Sequence, residues 1–216
     1  MRLWLRFNSD STSRSAVPSR RWPPSSVTEP VCPIYPGRGG GWWGDGVSNP
    51  GTEAALTLAF YGEIATPSLL TRFSFSSAEV RHDALLGLVF GEAEPAAQAV
   101  RTALSDRSAE VRARAVWGVV ILRFPDAGPE LVGYMRDPAS EVRQMAVWGI
   151  AIRRQTDALD EVIAALSDST YQVRRIAAWS LGVLGAPEAP PALQSLEESA
   201  GSRAGKAARW AVSVLQ

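Results

Sequence analysis

Apolar and polar positions recur along this chain with a period of 31 residues. From Ser140 to Ile150 the apolar residues follow the three- and four-residue spacing of one helix face. A fixed period of this length is typical of a solenoid, in which each unit buries its apolar side by stacking on the next. Three columns keep the interval: the valines Val80, Val111, Val142 and Val173, each followed by arginine; the tryptophans Trp117, Trp148, Trp179 and Trp210; and the aspartates Asp106, Asp137 and Asp168.

Each repeat is predicted to hold two helices, A and B. Proline is tolerated in the first turn of a helix, so Pro67, Pro129 and Pro191, which share one column, mark the start of helix A. Thr52 is predicted to cap a helix over residues 52–60. We expect an all-α, right-handed α–α superhelix of about five 31-residue pairs over residues 51–216. The B helices are predicted to begin near Ser77, Ser108, Ala139, Thr170 and Gly201, four of which are N-cap residue types.

Residues 1–50 have a different composition, rich in Ser, Pro, Gly and Arg, and show no helical or strand period. Such a segment buries too little apolar surface to offset its ordering entropy, and it is predicted to be disordered. Trp22, Trp42 and Trp43 could form a docking motif. Alternatively, the segment is a tail of no fixed role, or translation begins downstream at a valine such as Val47. Composition favours these two alternatives over the docking motif.

The pattern Asp-x-x-x-x-Val-Arg-x-x-Ala, seen from Asp137 to Ala146, resembles the HEAT repeat. The short period and the run Ala-Ala-Trp-Ser-Leu-Gly at 177–182 are most similar to the HEAT-like repeats of phycobilisome (bilin) lyases. The resemblance covers about residues 52–216 and implies a fold rather than a function. It also implies a structural ladder that links neighbouring turns, formed by Asp106, Asp137, Asp168, Arg112, Arg143 and Arg174.

The tryptophan column is predicted to point away from the A helices. At 100° per residue, Trp148 lies about 155° from the centre of the apolar stripe of its helix. It therefore faces the concave surface of the B helices. Two interpretations stay open: the rings close the seam between adjacent B helices, or they line a groove and anchor a partner.

Charge is sorted although the chain is neutral overall, with 22 basic and 22 acidic side chains. The B helices are predicted to be mainly basic and the A helices mainly acidic. Beyond the ladder arginines, the B helices carry a modest basic patch of Arg114, Arg175, Lys206 and Arg209. We predict partner contacts there, with a solvated face as the alternative.

No catalytic motif is found, and we expect no cofactor and no metal. Cys32 and His82 are the only cysteine and histidine, which excludes a disulfide framework and a Cys/His zinc site. His82 stands beside Asp83, but sequence neighbours on a helix do not face each other, so His82 is predicted to lie on the surface. No apolar run reaches membrane-spanning length, and a reducing, cytoplasmic location is expected.

Three functions are compatible with these features. We favour a scaffold that binds another protein, either acidic or with an apolar segment, on the concave face. The repeat resemblance implies an alternative, a bilin-lyase-like protein acting on a tetrapyrrole-carrying partner. Nucleic-acid binding is a third, against which the zero net charge argues.

Overall fold

A computed structural model describes residues 50–91, 95–125, 127–199 and 203–215. Within these ranges the regular structure is helical, and eleven α-helices follow one another, with short 3-10 turns at 62–64, 156–158 and 165–167. The predicted disordered segment lies outside the described residues, apart from Pro50, which begins the first helix. The helices are α1 Pro50–Phe60, α2 Thr66–Phe73, α3 Ala78–Phe90, α4 Pro95–Ala103, α5 Ala109–Ile121, α6 Ala127–Tyr134, α7 Ser140–Ile152, α8 Leu159–Ala164, α9 Tyr171–Leu184, α10 Pro190–Ser199 and α11 Arg203–Leu215.

The helices form two layers. The odd-numbered helices are the B helices, and each packs against the next B helix along the chain. The even-numbered helices are the A helices, and each packs against the B helix that follows it. Five A–B pairs result in the described part of the chain, preceded by α1, which packs on α3 as an additional B helix. The predicted all-α solenoid of helix pairs is confirmed.

Helix starts follow the predicted columns, but the capping differs. Ala78, Ala109, Ser140 and Tyr171 begin the B helices directly after the predicted residues. Only Ser77 caps with its own side chain, accepting from the Val80 N–H. At Ser108, Ala139 and Thr170 the backbone N–H instead donates to the aspartate two residues earlier, at 2.8 Å each. The side chain of an aspartate before the helix therefore orders the turn.

Thr52 does not cap a helix. The first described helix begins at Pro50, so Thr52 lies inside it, and its hydroxyl donates to Asp83 Oδ1 at 2.8 Å. Because Asp83 belongs to α3, this hydrogen bond joins α1 to the next B helix. The predicted N-cap is wrong, and the threonine instead connects two helices.

The layers approach closely at a column of glycines on the B helices. A Cβ on Gly118 would lie 2.7 Å from Val100 Cγ2, and one on Gly149 would lie 2.7 Å from Val120 Cγ2. Neither distance is compatible with an ordinary carbon–carbon contact. The glycines thus let each B helix pack closely against the A helix of its own pair and against the preceding B helix.

Candidate functional site

The aspartate ladder is a set of bidentate ion pairs between neighbouring repeats. Arg112 Nε and Nη2 each donate to Asp137 at 2.9 Å. Arg112 Nη1 donates to the backbone carbonyls of Asp106 and Arg107 in its own turn. One guanidinium therefore fixes its own turn and holds the turn of the following repeat. Arg81 with Asp106 and Arg143 with Asp168 repeat the arrangement.

The predicted ladder named one arginine wrongly and missed another. Each arginine reaches the aspartate of the following repeat, 25 residues later in the sequence. The first member is therefore Arg81, which was not among the predicted ladder residues. Among the described residues, Arg174 donates to the carbonyls of Asp168 and Ser169 in its own turn, and the position 25 residues later is a serine, Ser199.

The ion pairs raise the pKa values of the ladder arginines and lower those of the ladder aspartates, so both charged forms are favoured. The hydrogen bond from Arg81 holds the pKa of Asp106 below its ordinary value, and burial opposes the shift only in part. Burial acts to raise the pKa of Asp137, but the hydrogen bonds from Arg112 and the Ala139 N–H outweigh it, and the pKa is lowered. These carboxylates consequently stay ionised at neutral pH.

Three of the four tryptophans are buried, and two of the four rings contact a neighbouring B helix. Trp117, Trp148 and Trp179 expose 3%, 5% and 8% of their surface. The Trp117 ring centroid is 5.4 Å from that of Phe90 on the preceding B helix, and the Trp210 ring lies against Gly182 of α9. These contacts match the seam interpretation. Of the four rings, Trp210 alone is half-buried, so a partner could reach the other three only at small exposed edges.

Arg114 and His82 are not surface residues, in contrast to the predictions. Arg114 is 4% exposed, and the His82 side chain is 12% exposed. Arg114 Nε and Nη2 lie 3.0 and 2.9 Å from His82 Nε2, and His82 Nδ1 lies 3.2 Å from Asp83 Oδ1. Together with Thr52 these side chains form a polar cluster that connects α1, α3 and α5.

The cluster fixes the tautomer of His82. A guanidinium has only donors, so His82 Nε2 accepts from Arg114, and Nδ1 carries the proton and donates to Asp83. Burial lowers the pKa of His82, and Arg114 adds to the effect while Asp83 and Glu110 oppose it. The ring is therefore neutral at pH 7, and its arrangement is that of a structural contact between helices.

The remaining predicted contact residues lie on α9 and α11. Arg175 is half-buried on α9, and Lys206 is exposed on α11. Among the described residues, four buried side-chain atoms have no hydrogen-bond partner: Nε of Arg175 and Oε1 of Gln172 on α9, Nε1 of Trp148 on α7, and Nε of Arg153 directly after α7. A buried polar atom without a partner costs about 1–3 kcal/mol. The sequence pattern could not indicate these atoms, because whether a polar atom finds a hydrogen-bond partner depends on the packing around it.

Other kinds of site find no support among the described residues. No group of three His, Cys, Asp or Glu side chains in these ranges could hold a metal ion. Within the same ranges, no helix combines the length and the apolar character needed to span a membrane.

Comparison with known proteins agrees with this architecture. The structure is similar to the YibA protein of Escherichia coli, with 19% identity and a TM-score of 0.57, over 76% of this chain and 60% of that one. It is also similar to a designed armadillo repeat protein in complex with the peptide (KR)4, with 21% identity and a TM-score of 0.56, over 76% of this chain and 91% of that one. Such identities show the fold alone.

A weaker likeness involves the complex of CpcE and CpcF of phycocyanin lyase from Nostoc, with 16% identity and a TM-score of 0.40, over 76% of this chain and 88% of that one. A likeness at this level carries no argument about function. No curated protein sequence matches the chain. The sequence profile of HEAT repeats matches residues 66–148 and 128–216. The chain therefore belongs to the HEAT-repeat family.

Proposed function

We propose that the chain is an interaction scaffold that binds a partner protein on the B face, the surface of the B helices opposite the A helices. HEAT and armadillo-like solenoids bind other proteins along extended surfaces of this kind. The proposal centres on α7 and α9 and on the basic residues Arg175 and Lys206 beside them.

The observation that supports this position is the group of unpartnered polar atoms there. The indole N–H of Trp148 and the Nε of Arg175 are donors, and the Oε1 of Gln172 is an acceptor. The backbone of a protein segment offers both a carbonyl and an N–H in every residue except proline. Such a segment, with small side-chain adjustments, would satisfy groups that the described helices leave without a hydrogen bond.

The tryptophans have a secondary role in this proposal. Trp117, Trp148 and Trp179 build the seam and shape the surface, whereas Trp210 and Lys206 offer more accessible contact area. Arg114 contributes indirectly, since its guanidinium is occupied by His82. The binding surface is thus expected nearer the C-terminal repeats than the full tryptophan column implies.

Site-specific cross-linking tests the proposal. A photoreactive benzoylphenylalanine replaces Lys206 in one variant and the exposed Arg136, in the turn between α6 and α7, in a matched control. We expect a covalent adduct with a partner from position 206 and none from position 136. Equal adducts from both positions, or adducts from position 136 alone, would contradict binding on the B face.

Two further variants separate binding from folding. Trp148→Phe keeps an aromatic ring but removes the N–H donor, and Arg175→Ala removes a charge from a half-buried site. We expect each to weaken binding of the captured partner about fivefold or more, since hydrogen bonds at an interface are worth about 1 kcal/mol or more. Circular dichroism melts should show that both variants remain folded. Unchanged partner affinity in both variants would refute the role assigned to these atoms.

A further inference from the structure

The last arginine of the ladder column keeps the orientation of the others. Arg174 Nη1 donates to the carbonyl oxygens of Asp168 at 2.6 Å and Ser169 at 3.0 Å. Arg143 Nη1 donates to the equivalent carbonyl oxygens in its own turn, those of Asp137 and Pro138. In Arg143 these contacts direct the Nε–Nη2 edge at the following repeat, where it holds Asp168. The Nε–Nη2 edge of Arg174 is expected to point in the same direction.

No aspartate stands at the matching position in the last repeat. The residue 25 positions after Arg174 is Ser199, which belongs to α10. In the second repeat, by contrast, helix α4 ends at Ala103 and the chain turns before it reaches Asp106. The last repeat thus differs both in residue type and in backbone conformation at this point.

The first turn of α9 also differs in charge from those of its counterparts. Helices α3, α5 and α7 carry Glu79, Glu110 and Glu141 in their first turns, whereas α9 has Gln172 in that column. The first turns of α9 therefore hold two arginines and no acid. The positive end of the dipole of this 14-residue helix adds to their potential.

We propose that the Nε–Nη2 edge of Arg174 binds the carboxylate of an aspartate or glutamate side chain on the partner protein. The three equivalent arginines of this chain hold aspartate oxygens at 2.7–2.9 Å with the same pair of nitrogens. The same geometry in three copies favours a carboxylate over a phosphate. The inference rests on the proposed function, because it names one group of the protein partner.

A direct titration tests this site. The Nε–Hε signal of Arg174 is followed by NMR in the full chain and is assigned by its loss in Arg174→Lys. The probes are acetyl-aspartyl-amide, its neutral match acetyl-asparaginyl-amide, and inorganic phosphate. We expect a saturable shift with the aspartyl compound and none with the asparaginyl compound. The variant Arg136→Lys, a matched change at the exposed control position, should leave that shift in place.

Three results would overturn the site: no saturable shift, equal shifts with both amides, or saturation by phosphate at a concentration about ten times lower than by the aspartyl compound. The titration needs no partner. Its failure therefore counts against the carboxylate site alone, whereas failure of cross-linking from position 206 counts against the proposed function.

Discussion

Replacement of Asp137 by asparagine tests how much one ladder pair contributes to stability. The Asp137 carboxylate accepts from Arg112 Nε and Nη2 and from the Ala139 N–H. Asparagine has nearly the same shape, but it loses the negative charge and one acceptor. Its amide group would place N–H donors against the guanidinium, so one bidentate contact is lost while the packing is retained.

The magnitude lies between two limits. Breaking a fully buried ion pair costs about 3–5 kcal/mol, and an exposed pair is worth less than about 1 kcal/mol. The side chains of Arg112 and Asp137 are 16% and 9% exposed, so the pair is closer to the buried limit. We expect a loss of about 2 kcal/mol. At about 2–4 °C per kcal/mol for a domain of this size, the Tm should fall by about 4–8 °C.

Thermal unfolding followed by circular dichroism at pH 7 measures the effect. Asp157→Asn is the matched control, because Asp157 is exposed at the turn before α8. The pKa of Asp137 is lowered by folding, so the contribution of its charge is present above the unfolded value and is lost as the pH falls through the folded value. The difference between wild type and Asp137→Asn should therefore shrink below about pH 4.

Equal melting temperatures for wild type and Asp137→Asn at pH 7 would refute this reasoning. A loss as large in Asp157→Asn would also refute it, because the effect would then reflect net charge rather than the pair. A difference that stays constant down to pH 3 would show that the charge of Asp137 has no part in it.

Two other predictions concern packing and protonation. The pKa of His82 is lowered in the fold, so its contribution to stability is complete above the ordinary value of 6.5 and is lost as the pH falls through the lower folded value. Between about pH 6.5 and 5 the Tm of wild type should fall more steeply than that of His82→Gln; parallel curves would exclude the effect. Gly149→Ala should lower the free energy of unfolding by about 1–3 kcal/mol, because its Cβ would lie 2.7 Å from Val120 Cγ2. In Gly133→Ala of α6 the Cβ meets nothing within 4 Å, so the higher helix propensity of alanine should raise the free energy of unfolding by about 0.5–1 kcal/mol. Denaturant unfolding of the two alanine variants checks the opposite signs.

The fold could be predicted from the sequence because the same pattern of two helices recurs in every 31-residue repeat. The valine, proline and aspartate columns each mark one point of the repeat, and the B helices begin where those columns place them. A column shows which residues recur but not which neighbour each one reaches. For that reason the predicted ladder included Arg174, whose matching position holds a serine, and left out Arg81, which pairs with Asp106.

The environment of single residues was harder to predict. Side chains that are adjacent in a helix do not normally face each other, but contacts with other helices can bring them together. Here Thr52 of α1 bonds Asp83, Arg114 of α5 bonds His82, and His82 and Asp83 then contact each other. The helical angle of Trp148 predicted a face of its helix, but not how little of the ring stays exposed. Exposure depends on the packing of neighbouring repeats, which a helical angle alone does not describe.

The ladder has a consequence for how the chain folds. Each Arg–Asp pair joins residues 25 positions apart, and the Ser180 hydroxyl bonds the Val147 carbonyl 33 positions away. Contacts of such short range give a low contact order and little loop-closure entropy, so adjacent repeats can assemble rapidly before the rest of the chain is made. Since every Arg–Asp link has the same sequence separation, removal or duplication of one 31-residue unit would leave the remaining links intact. Repeat number is therefore a property that selection, or a designer, can change without inventing a new fold.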